Sequence, residues 1–116
     1  MEKRFCLEAS ELDELAPGRG WCIASDRITV DGCPVGYMYR EMPKDEGDSG
    51  WRFFAGDESD SYANDPANLA MYDVNTIANY DPEIIPMLDC PAMSAFARTT
   101  AASEFALVPF PIEGLN

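Results

Sequence analysis

Histidine is absent from this 116-residue sequence and positive charge is scarce, with 8 Lys and Arg against 21 Asp and Glu and a formal net charge of −13. Without imidazole the usual general base near neutral pH is missing, which removes the ordinary Ser-His-Asp and Cys-His arrangements. Neither a G-x-x-x-x-G-K-[ST] loop nor a G-x-G-x-x-G fingerprint occurs, so no nucleotide cofactor is expected. Cys6, Cys22, Cys33 and Cys90 form no C-x-x-C pair, and with no histidine to complete a site a zinc cluster is not expected either. The N-terminus lacks the apolar stretch of a signal peptide, and no run approaches the ~20 apolar residues of a membrane span. These absences predict four reduced thiols in a cytoplasmic protein without metal, cofactor or membrane attachment.

Carboxylates are the one abundant reactive group. Asp48, or the pair Asp57 and Glu58, would be candidates for glycosidase-like chemistry, but among 21 acids such neighbours arise by chance, and no enzyme is expected. Counted from Asp57, the EF-hand pattern fails at Ser59, Ser61 and Tyr62. The charge is uneven: between Arg52 and Arg98 no positive side chain stands among eight carboxylates. Such a field repels nucleic acid and anionic membranes, and accelerates encounter with a basic protein partner.

What remains is a chain that folds. Hydrophobic residues make up 47% and thirteen residues are aromatic, so residues 1–116 are expected to form one domain. Trp21 to Ser25 is a short apolar run suited to a buried strand. Arg27 to Val30 and Cys33 to Arg40 alternate around Asp31-Gly32, a hairpin signal that would put Val30, Cys33, Ile28, Val35, Tyr37 and Tyr39 on one buried face. Pro34 would then leave this strand at a sheet edge on its other side. Trp51 to Ala55 is the next expected strand, and Ala95 to Arg98 the last. Between these two, Asp65-Pro66, Asp73 and Asp81-Pro82 mark short helices by their capping carboxylates, the third shortened or kinked by Pro86. Phe105 to Ile112 should form an extended apolar strap on the surface. The expectation is α+β: a small antiparallel sheet with short helices packed on one face.

Asp48-Ser49-Gly50-Trp51-Arg52-Phe53 followed by Gly56-Asp57-Glu58 is the most information-dense stretch. Trp51 and Arg52 are residue types enriched at binding hot spots, here inside an acidic frame. Equally, Trp51 suits the core, with Arg52 paired to a neighbouring acid. Together with Cys22 to Ile28, Asp31-Gly32, Val35 to Glu41, Tyr72 to Thr76 and Asp81 to Ile84, these strings resemble the immunity protein 33 family over about residues 20–98. The resemblance implies a bacterial protein that binds and blocks a cognate toxin, and it brings no catalytic residues. Cys6 to Arg19 and the proline-bearing tail lie outside the matching stretch, where they serve partner choice or local packing.

Two functional classes stay open on the sequence. In the first, a basic toxin domain meets a surface that includes Asp48, Trp51, Arg52, Asp57, Glu58 and Asp60. In the second, a small ligand or regulator enters a pocket walled by Tyr37, Tyr39 and Trp51.

Overall fold

The computed structural model describes residues 3–111. The apolar run after Gly20 forms β1 (Trp21–Ser25). Its last residue turns the chain: the Ser25 hydroxyl accepts the Arg27 N–H at 3.1 Å and caps the short α1 (Asp26–Thr29). Asp31-Gly32 then closes that helix instead of a hairpin. The Cys33 N–H donates back to the Arg27 carbonyl at 2.9 Å, with Gly32 at φ +80°, the left-handed geometry of a helix C-terminus. The expected pairing of Ile28 with Val35 and of Val30 with Cys33 is thus overturned. Ile28 and Val35 are still fully buried, each reaching the core by another route.

The remaining strands are β2 (Tyr37–Arg40), β3 (Asp48–Phe54), β4 (Leu69–Asp73), β5 (Ala95–Ala97) and β6 (Ala106–Val108). They form one six-stranded sheet in the order β4-β1-β3-β2-β5-β6. The sheet is mixed: β1 and β3 run parallel, and every other neighbouring pair is antiparallel. β2 lies between β3 and β5, so it is an interior strand, and Pro34 sits in the link before it. The fold is α+β as expected, with one parallel pair where only antiparallel pairing was foreseen.

All three capping carboxylates foreseen by sequence are in place. Asp73 accepts the Asn75 N–H at 2.8 Å and starts α3 (Val74–Tyr80). Asp65 and Asp81 each start a 3₁₀ turn with proline in its first positions, Pro66–Asn68 and Pro82–Met87, the latter carrying Pro86 inside it. A further short helix, α2 (Asp60–Ala63), is capped by the Ser59 hydroxyl.

Strand alternation sorts the side chains into two faces. One carries Cys22, Ala24, Met38, Trp51 and Phe53, all at most 1% exposed, packed against Ile28, Val74, Ile77, Ala78, Ile84 and Leu88 from the helical segments. Burying each of the large side chains contributes roughly 1.5–3 kcal/mol. The other face is only half covered and carries Ile23, Arg52, Phe54, Tyr37 and Tyr39.

Candidate partner-binding surface

The residues singled out by sequence divide between these two faces. Trp51 is 1% exposed, stacks on Phe53 at 6.0 Å and donates its indole N–H to the Leu88 carbonyl at 3.3 Å. Because Tyr39 pairs with Arg52 and Arg40 with Trp51, Trp51 points away from Tyr37 and Tyr39. The three therefore do not wall one pocket, which corrects that expectation.

Asp48 and Arg52 lie four residues apart on β3, where alternation puts both on the half-covered face. Both side chains are nevertheless enclosed, at 0% and 2% exposure. The Asp48 carboxylate accepts from Arg52 Nη1 and Nη2 at 3.0 and 2.9 Å, and from the Gly50 and Lys44 N–H groups at 2.7 and 2.9 Å. Arg52 Nε donates to Glu41 at 2.6 Å, and its guanidinium lies 5.4 Å from the Trp21 ring. Burial pushes the Asp48 carboxyl up, but the hydrogen bonds from Arg52 and the two N–H groups outweigh it and hold the pKa at about 2. Burial likewise opposes the Arg52 charge, and the bonds to Asp48 and Glu41 overcome it and raise its pKa. Asp48, Trp51 and Arg52 fix the centre of the sheet and present little surface to a partner.

The other three acids are at the surface. Asp57 takes both Nε and Nη2 of Arg27, at 3.2 and 2.6 Å, and the bond from Arg27 holds its carboxyl below the ordinary value. Glu58 is half-buried and accepts the Ala55 and Gly56 N–H groups at 2.8 and 2.9 Å, closing the turn that leaves β3. Asp60 is exposed in the first turn of α2.

Two of these acids meet the two tyrosines. A groove of about 270 Å³ is lined by Tyr37, Tyr39, Phe54, Glu58, Asp60 and Pro111, among others. Its aromatic wall is built by ring contacts: Tyr39 lies parallel to Phe54 across the β2–β3 pair at 6.1 Å and Tyr37 stands 5.6 Å from Tyr39 along β2, while Phe110 meets Tyr39 edge-on at 5.8 Å. A second groove of about 260 Å³, lined by Ile23, Pro66, Leu69, Ala70 and Met71, shares Asn64 with the first. Asn64 follows α2 directly, so the α2 end separates two recesses on the half-covered face. Met71, 61% exposed, adds an apolar edge on β4.

A larger cleft, about 550 Å³, lies between Cys33–Gly36 and Arg98–Ala101 and shares Tyr37 and Gly56 with the aromatic groove. Its Arg98 is already engaged by Asp81, Glu83 and the Val35 carbonyl, beneath the Phe105 ring. Asn75 and Asn79 are not among the residues singled out by sequence, yet they hold the segment before β1. Asn75 Oδ1 accepts the Leu15 and Ala16 N–H groups at 2.7 and 2.8 Å, and both asparagines donate to the Asp13 carbonyl at 2.8 Å. Their four-residue spacing, which puts both on one helix face, was the available clue.

No helix among the described residues is long and apolar enough to cross a membrane, and all four cysteines are free thiols. Comparison with curated proteins and with solved structures gives no match. Residues 22–108, by contrast, match the family described as Immunity protein Imm33 domain. With β1 to β6 almost wholly inside that span, the chain belongs to the Imm33 immunity protein family.

Proposed function

We propose that this chain neutralises a cognate toxin by occlusion, docking a basic surface of the toxin on the half-covered face of the sheet around α2. The observation that carries the reading is the placement of Glu58 and Asp60 beside an aromatic recess, within a chain of the immunity family. Aromatic residues supply contact area at low entropic cost, and the carboxylates select a cationic partner. Glu58, Asp60 and the outer side of Asp57 would meet the toxin directly. Asp48, Trp51 and Arg52 would act from beneath, by keeping β3 and its neighbours in register. No chemistry is required of the chain, and four free thiols suit action in the cytoplasm.

The test is survival of cells that express the toxin together with this chain. Wild type should protect. Asp60→Arg, at an exposed position, should lose protection while the purified variant keeps its melting temperature. Glu104→Arg, in a separate cleft beside Met87 and Phe105, should protect like wild type. Full protection by Asp60→Arg would place the toxin on another surface.

A further inference from the structure

We infer that the groove between Tyr39 and Asp60 receives a single arginine side chain of the partner, an inference that rests on the docking reading above. Among the described residues, three aromatic rings, Tyr37, Tyr39 and Phe54, line it together with two carboxylates, Glu58 and Asp60, and no lysine or arginine does. The cations within these strands are engaged elsewhere, Arg40 by the Ser49, Leu88 and Cys90 carbonyls and Arg52 by Asp48 and Glu41, while Arg27 is taken up by Asp31 and Asp57, and none of the three forms an ion pair with Glu58 or Asp60. The negative charge at the groove is therefore left for a cation from outside.

The shape selects among ligands. At about 270 Å³ the groove falls just below the roughly 300–1,000 Å³ of small-molecule pockets, and it suits one long side chain. A planar guanidinium both stacks on aromatic rings and offers several N–H donors to carboxylates, whereas an ammonium is compact and strongly hydrated. One acceptor is set in advance. Glu58 is held by the Ala55 and Gly56 N–H groups, while Asp60 stands exposed in the first turn of α2. The Glu58 side chain therefore loses little freedom when a cation arrives.

The probe is N-acetyl-arginine methylamide, titrated into the full chain and followed by the aromatic ¹H–¹³C resonances. Its citrulline counterpart is neutral and similarly shaped, and its lysine counterpart has the charge without the plane. Arginine should shift Tyr37, Tyr39 and Phe54, citrulline should not, and lysine should bind more weakly. Asp60→Asn, at an exposed position, should weaken arginine binding about fivefold without changing the melting temperature. Equal shifts with citrulline, tighter binding of lysine, an unchanged affinity in Asp60→Asn, or shifts confined to other residues would each overturn the inference. Toxin protection without any arginine response would also defeat it, and would leave the docking reading standing. An arginine response in a chain that protects against no toxin would establish the pocket and defeat the docking reading instead.

Discussion

Asp48 accepts four hydrogen bonds, from the Lys44 and Gly50 N–H groups and from both Nη atoms of Arg52, and its side chain keeps no surface in water. Removing one partner of such a pair leaves a buried charge poorly answered, which commonly costs about 3–5 kcal/mol. Glu41 still holds Arg52, so the lower end applies, and Asp48→Asn should lose about 3 kcal/mol in urea unfolding at neutral pH. The same carboxylate predicts acid sensitivity. Its folded pKa of about 2 lies below the value in the unfolded chain, so the unfolded state binds the proton first. The stabilisation is complete above about pH 4 and is lost as pH falls through about 2, a loss of about 2 kcal/mol. Tryptophan fluorescence during acid titration should therefore show wild type and Asp48→Asn converging toward pH 2. A constant gap would assign the loss to shape and not to charge. The string around Asp48 was legible as special in the sequence, but its use was not. Both Trp51 and Arg52 fit either hot spot or core, and only the register of β3 decides. Gly50 was the better clue: at φ +88°, a Cβ there would stand 2.3 Å from the Glu41 carbonyl, so this stretch had to be tightly built in.

At the scale of elements, capping chemistry was readable and strand pairing less so. Asp65, Asp73 and Asp81 cap where expected because a short carboxylate before a helical turn satisfies an N–H that nothing else reaches. Asp31-Gly32 misled for a physical reason. Left-handed geometry serves a hairpin turn and a helix C-terminus alike, and Ser25-Asp26 upstream was the helix start that should have decided between them. β4 escaped notice because Leu69-Ala70-Met71 favours helix, and its pairing with β1 overrides that preference. The α3 asparagines are the strongest case of a link invisible to local pattern. Asn75→Ala strips one acceptor from two backbone N–H groups and one donor from the Asp13 carbonyl. With net values of about 0.5–1.5 kcal/mol per bond, and partial rescue by water, a loss of about 1–2 kcal/mol is expected. Hydrogen exchange should localise it: the Leu15 and Ala16 amides should exchange faster in Asn75→Ala while those of β3 keep their protection relative to global unfolding. Uniform acceleration would show that the segment before β1 unfolds only with the whole molecule.

Over the whole molecule the charge of −13 was plain in the sequence, but its distribution in space was not. Of the eight carboxylates between Arg52 and Arg98, Asp57 pairs with Arg27, Asp81 and Glu83 with Arg98, and Asp89 with Arg19. Glu58, Asp65 and Asp73 accept backbone N–H groups. Much of the acidity thus has structural employment, and what faces a partner is narrower than composition implied. The α+β class followed from where strands and helical turns fall along the chain, whereas the parallel β1–β3 pair depended on a crossover that no local signal records. Even so, the net field survives local pairing, because ion pairs remove as many positive as negative charges and leave −13. Its range is set by salt, with a Debye length of about 30 Å at 0.01 M and about 3 Å at 1 M. If the toxin is drawn in by this field, its association rate should fall at least about tenfold across that range, while the dissociation rate, set by contacts within the groove, changes far less. Stopped-flow mixing of the purified pair measures both rates. A salt-independent association rate would mean that the aromatic face, and not the charge, governs encounter. An equal salt effect on dissociation would mean that the decisive ion pairs sit at an exposed rim rather than in the recess beside Tyr39.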